Sequence, residues 1–113
     1  MPTELDLLQG TLDVLVLRAL SWHTMHGYAI ARFIRQGSGE RFQILDGALY
    51  TSLHRMEAAG LVGSEWGISD KGKRAKFYRL TPAGKRALRA ETASWEEYVR
   101  AVTGVFKARP EPV

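Results

Sequence analysis

Residues 61–80 read LVGSEWGISDKGKRAKFYRL. Two strand-like runs, LVGSEW and KFYRL, flank the stretch SDKGKRAK at 69–76, and this order predicts a β-hairpin whose turn carries Lys71, Lys73, Arg74 and Lys76. A hairpin needs only Gly, Asn or Asp at its tip to close, while neighbouring like charges repel. Folding alone gives no reason for four cations there, so an anionic partner outside the fold is expected. Phe77 and Tyr78 alternate on the second strand, which sends one to the core and the other to solvent. Trp66 reads as a core residue of the first strand.

Upstream of the hairpin the apolar period changes from two to between three and four. Leu12, Leu15, Val16, Ala19 and Leu20 place a core helix from about Gln9 to Trp22, with Trp22 as a core residue at its end and Arg18 on the polar side. After the short connection HTM, Thr24 can cap a second helix with apolar positions at Tyr28, Ile30, Phe33 and Ile34, stopping at Gly37. Asp46 can cap a third, GALYTSLHRMEAAG, in which Leu49, Leu53 and Met56 face inward and Gly60 ends the helix. Three helices with short connections fit any small bundle. Three helices that run directly into a two-stranded hairpin are more specific: a winged helix-turn-helix, whose third helix enters a DNA major groove while the wing reaches a flanking phosphate track or minor groove.

Composition supports this reading and closes other routes. A chain of 113 residues makes one domain with a small core and has no room for a deep cleft between two lobes. With no cysteine there is no disulfide, thiolate metal site or thiol nucleophile, which fits a reducing compartment. The longest aliphatic run near the N-terminus, VLVL at 14–17, is too short to span a membrane, and Glu4 and Asp6 spoil a signal-peptide reading, so the expected location is cytoplasmic. Net charge is only +4, yet half of the 16 Lys and Arg fall between Asp70 and Ala90: Lys71, Lys73, Arg74, Lys76, Arg79, Lys85, Arg86 and Arg89. Such a pole attracts phosphate backbones or anionic lipid headgroups. Its place on a hairpin, instead of on a basic amphipathic helix, disfavours the membrane.

The segment after the wing begins with Thr81 and Pro82, a capping oxygen followed by a residue with preset φ, and predicts a long helix over 81–107. Leu88, Thr92, Trp95, Val99, Val102 and Phe106 alternate spacings of four and three, a short coiled-coil seam. The seam requires another helix, either the first helix of the same chain or a helix of a second chain. The tail from 108 to 113 is Pro-rich and expected to fray. The chain thus divides into 1–80, a winged helix-turn-helix, 81–107, a long helix, and the tail.

The strings HGYAIARFI (26–34), GALYTSLHRMEAAGLV (47–62) and RAKFYRLTPAG (74–84), with GTLDVLVLRAL (10–20) before them, resemble the PadR-like family of winged helix-turn-helix transcriptional regulators over nearly the whole chain. The resemblance implies a dimeric repressor, in some relatives relieved by small aromatic or hydrophobic effectors. It also implies that the long helix meets its mate and the partner's N-terminal helix, with Leu12, Leu88, Trp95, Val99, Val102 and Phe106 as dimerisation residues. Across a twofold axis two copies of Trp95 can form a slot for a planar aromatic, making Trp95 the candidate effector contact.

For double-stranded DNA the candidate contacts are Tyr50, Thr51, Ser52, His54 and Arg55 on the third helix, and Lys71, Lys73, Arg74 and Lys76 on the wing. Thr51, Ser52, His54 and Arg55 are placed opposite the apolar face. Arg55 is the favoured base reader because a guanidinium bonds guanine bidentately, although it can instead pair with a nearby carboxylate. The Tyr50 hydroxyl can reach a phosphate, or its ring can pack against the wing. His23, His26 and His54 lack ligand spacing with neighbouring acids, so no metal and no cofactor are expected. No G-x-S-x-G or P-loop is present, and an enzyme is not expected. The alternative is a non-specific nucleic-acid-binding or partner-binding scaffold, which would bind duplexes with little preference among sequences.

Overall fold

The computed structural model describes residues 10–112. Its elements run α1 (Thr11–Leu20), β1 (Met25–His26), α2 (Gly27–Gly37), α3 (Asp46–Ala58), β2 (Val62–Ile68), β3 (Arg74–Leu80) and α4 (Pro82–Lys107). The expected start of the first helix at Gln9 lies outside the described residues. The core collects the inward faces of the three helices and the inner end of the sheet: Val16, Leu17, Ala19 and Leu20 from α1, Ile30 and Ile34 from α2, Leu49, Leu53 and Met56 from α3, with Met25, Val62 and Tyr78. Val16, Ala19, Leu20, Ile30, Ile34, Leu49, Leu53 and Met56 are inward positions of the apolar period, while Leu12, Leu15 and Phe33 are only half-buried and Leu17 is buried outside the expected set.

The wing hairpin forms as expected, with Val62 opposite Leu80 and Ile68 opposite Arg74. Its turn is held by Ser69 N–H donating to the Lys73 carbonyl at 2.8 Å and Gly72 N–H donating to the Ser69 carbonyl at 2.8 Å. Gly72 has φ 77°, a left-handed conformation that side chains with a Cβ rarely adopt. The sheet has one strand more than the sequence suggests: Met25, the last residue of the HTM connection, and His26 form β1, which pairs antiparallel with β3 through Met25 opposite Tyr78 and His26 opposite Phe77. Because residues 25 and 26 are taken up by the sheet, α2 starts later than expected. Its cap is His26, whose Nδ1 accepts from Ala29 N–H at 3.1 Å, in place of Thr24. Asp46 likewise lies within the first turn of α3, after Leu45 at the cap position, where a carboxylate still faces the positive end of the helix dipole.

Two tryptophans depart from expectation. Trp22 and Trp66 are 61% and 59% exposed. The helix α1 ends at Leu20, so Trp22 falls in the following turn, off the buried stripe, and its ring lies under the Arg18 guanidinium at 4.9 Å. Trp66 shares a face of the hairpin with buried Tyr78, but the hairpin runs past the edge of the helices, and only its inner end is covered. Tyr78 takes the core side of β3; Phe77 is half-buried against the His26 ring at 5.3 Å.

The junction of wing and α4 is tightly specified. Thr81 Oγ1 accepts from Gly84 N–H at 3.0 Å and donates to the Gly60 carbonyl at 2.6 Å, while Thr81 N–H donates to the Leu61 carbonyl at 3.1 Å. One threonine therefore caps α4 and ties it to the end of α3. A Cβ on Gly84 would lie 2.0 Å from the Leu61 carbonyl oxygen, so this first turn can approach only as glycine. Beyond Leu88 the helix leaves the body. The radius of gyration is 16.9 Å, against about 13 Å for a compact chain of this length, and the longest dimension is 67 Å. No helix among the described residues is long and apolar enough to cross a membrane.

Candidate nucleic-acid interface

On α3, Leu49, Leu53 and Met56 are buried while Tyr50, Thr51, His54 and Arg55 are exposed. Ser52 is the exception among the residues assigned to the outer face. It is 2% exposed, and its hydroxyl donates to Asp13 Oδ1 of α1 at 2.5 Å. The reason is geometric: Ser52 comes three residues after Leu49 and four before Met56, the spacing that puts residues on one helical face. Sealed between α3 and α1, Ser52 is not available to DNA. Arg55 reaches the same carboxylate, Nη2 donating to Asp13 Oδ1 at 2.5 Å and also to Oδ2, although its side chain remains 57% exposed.

Tyr50 packs across the start of α2, its hydroxyl 3.1 Å from where a Cβ on Gly27 would stand, and its ring lies 6.4 Å from that of His54. Its position is thus set in part by α2. Gly27 of the HGY string is the residue that lets this ring approach.

The wing cations are held apart by aromatic rings and one acid. Lys71 Nζ lies 5.7 Å from the Tyr28 ring, the Arg74 guanidinium 4.4 Å from the Trp66 ring, and Lys76 Nζ 3.7 Å from Glu57 Oε1. Ring faces attract cations through their quadrupole, so these contacts offset part of the repulsion within the turn. Glu57, on α3, also accepts a short hydrogen bond from the Ser64 hydroxyl on β2. It joins the C-terminal end of α3 to the wing. Burial, followed by the nearby Glu57 and Tyr50, holds the Tyr78 phenol above its ordinary pKa.

Two residues on this surface went unmarked in the sequence. Tyr28 falls in the apolar period of α2, yet it is 60% exposed, with Lys71 Nζ and the Arg32 guanidinium each 5.7 Å from its ring. The signal was available in part, since Tyr28 opens α2 two residues after the cap and Arg32 follows at i+4. What brings the wing tip over it is the pairing of β1 with β3. Together the wing, β1, α2 and α3 enclose an open cleft of about 880 Å³ lined by Tyr28, Arg32, Tyr50, His54, Lys71 and Arg74 among others. The wall is aromatic and cationic, suited to a polyanion with stacked or sugar surfaces. Among the described residues no group of three or more His, Cys, Asp or Glu could hold a metal ion.

The second surface is α4. Leu12 and Leu88 pack against the chain's own core, which leaves Trp95, Val99 and Phe106 exposed and Val102 half-buried along the seam. Trp95 stacks on Tyr98, ring centroids 6.1 Å apart.

A three-helix body, a basic β wing over its second and third helices and one projecting helix define a winged helix-turn-helix protein. The chain belongs to the PadR-like family of transcriptional regulators, whose model matches residues 16–90. These are regulators and not enzymes. A transcriptional regulator of Mycobacterium tuberculosis is 36% identical over 89 residues, 79% of each chain. Among solved structures, a PadR family regulator from Eggerthella lenta is 32% identical with a TM-score of 0.75, covering 89% of this chain and 86% of that one. A transcriptional regulator from Clostridium thermocellum is 28% identical with a TM-score of 0.76, covering 84% and 92%.

Proposed function

We propose that the protein is a homodimeric, sequence-specific DNA-binding repressor that lays α3 in the major groove and the wing on flanking backbone. The observation that carries this reading is the shared exposure, around one cleft, of Tyr50 and His54 of α3, the wing residues Lys71, Lys73 and Arg74, and Tyr28 and Arg32 of α2, with Thr51 exposed next to Tyr50. Exposed polar and aromatic residues on a helix and cations on an adjacent hairpin suit base edges and phosphates respectively. Arg55, held by Asp13 and exposed on α3, joins the base-reading set, and Lys76 contributes through the wing.

The exposed stripe of α4 supports a second copy as its cover, with Trp95, Val99, Val102 and Phe106 as the contact and Leu12 beside it on the body. Two copies of Trp95 near a twofold axis would present flat apolar surface to a small aromatic or hydrophobic effector. Such a molecule changes DNA affinity only as far as it prefers one spacing of the two wings.

Selection of bound duplexes from a random pool tests the reading. The expected result is an inverted repeat with half-sites about 34 Å apart, the separation at which a twofold dimer presents two recognition helices. Recovery of duplexes with no common sequence would instead identify a non-specific nucleic-acid-binding protein.

A further inference from the structure

The contact between Arg55 and Asp13 joins residues 42 positions apart and links α3 to α1. Asp13 Oδ1 is fixed from the buried side by the Ser52 hydroxyl, so the carboxylate has one orientation in which to meet the guanidinium. Arg55 meets it through Nη2 alone, to both oxygens. Among the described residues the second Nη2 hydrogen and the Nη1 and Nε N–H groups have no acceptor, so an edge of the guanidinium is left for another group, on a side chain more than half exposed.

An exposed ion pair adds little to stability, because solvent screens it and two side chains must be ordered. What it does supply is order: an arginine already held in one plane loses less freedom when it meets a second acceptor. Guanine presents N7 and O6 as acceptors in the major groove, where a rigid guanidinium distinguishes them from the donor of adenine.

We infer that Asp13 is a positioning residue for base recognition, holding Arg55 through Nη2 so that its remaining N–H groups meet a guanine edge. Asp13 itself touches no DNA. The inference rests on the proposed reading that α3 enters the major groove, and it assigns to α1 a part in specificity that its core position does not suggest.

The test measures affinities of the full chain for its selected duplex and for a panel of duplexes with single base-pair substitutions, alongside thermal unfolding. Arg55→Ala is expected to weaken binding to the preferred duplex about tenfold or more and to flatten preference at one position per half-site. Asp13→Asn keeps an acceptor for Ser52 but removes the charge. It is expected to flatten the same position, and the double variant should bind no worse than Arg55→Ala alone, the non-additivity of two residues acting as one. Asp13→Glu, which keeps the carboxylate, should retain part of the preference. If Arg55→Ala flattens a position that Asp13→Asn leaves intact, or if Asp13→Asn weakens every duplex evenly, Asp13 is a structural tie only and the inference fails while the DNA-binding reading stands. If the unaltered chain shows no preference among duplexes, the reading itself has failed.

Discussion

At the scale of single residues, position in the fold separates side chains of similar type. Ser52 and Thr51 are adjacent small hydroxyl residues on α3, yet one is sealed against Asp13 and the other faces out. Gly84 and Gly104 both lie in α4, yet a Cβ at Gly104 meets nothing within 4 Å and one at Gly84 meets the Leu61 carbonyl oxygen at 2.0 Å. Replacing a helical glycine by alanine ordinarily stabilises by up to about 1 kcal/mol. Gly104→Ala should therefore raise the unfolding midpoint slightly. Gly84→Ala should lower stability by about 3 kcal/mol or more, because backbone must move to clear backbone and the Thr81 junction moves with it. Chemical denaturation of the two variants decides the matter, and equal behaviour of the pair would contradict the junction described.

At the scale of elements, the wing is a ribbon whose outer half has no hydrophobic support. It keeps its cations apart by laying Lys71 toward Tyr28 and Arg74 over Trp66, and it is fixed to α3 through Glu57. The four cations are consequently not equivalent. Lys71, Lys73 and Arg74 are exposed, and removing any one is expected to weaken binding to all duplexes alike and flatten the plot of log affinity against log salt by about 0.9. Lys76 is half-buried beside Glu57, already partly neutralised, so Lys76→Ala should change the slope less. Binding isotherms over a range of salt concentrations measure this; an equal change for all four would mean that Lys76 leaves Glu57 for a phosphate. The sequence supplied the charges and the hairpin, but periodicity says nothing about which lysine finds an acid on another element.

At the scale of the whole molecule, the departure from compactness is the informative quantity. The 26 residues of α4 span about 39 Å, and the only buried one among them is Gly84, which has no side chain to cover. A helix with Trp95, Val99 and Phe106 on one exposed stripe is poorly stabilised alone in water. Covering each large side chain is worth roughly 1.5–3 kcal/mol, enough for a dimer to be the folded form at micromolar concentration. Trp95→Glu is expected to sediment as a monomer with far weaker binding to a two-half-site duplex. A variant that remains dimeric would move the interface off this stripe.

The order of the four helices and the wing hairpin, most inward positions of the three body helices, the Thr81–Pro82 start of α4 and the concentration of charge at 70–90 were determined by the sequence itself. Each rests on spacing or on the conformational preference of a residue within a few positions, and such local terms are present before the chain folds. What tertiary structure alone decided are the meetings across distance: Asp13 with Ser52 and Arg55, Glu57 with Lys76, Tyr28 with Lys71, Tyr50 with Gly27, and the third strand that Met25 and His26 add to β3. These contacts arise because burying the three helical faces fixes where every exposed face must point, and a polar side chain then bonds to whichever group that packing brings within reach.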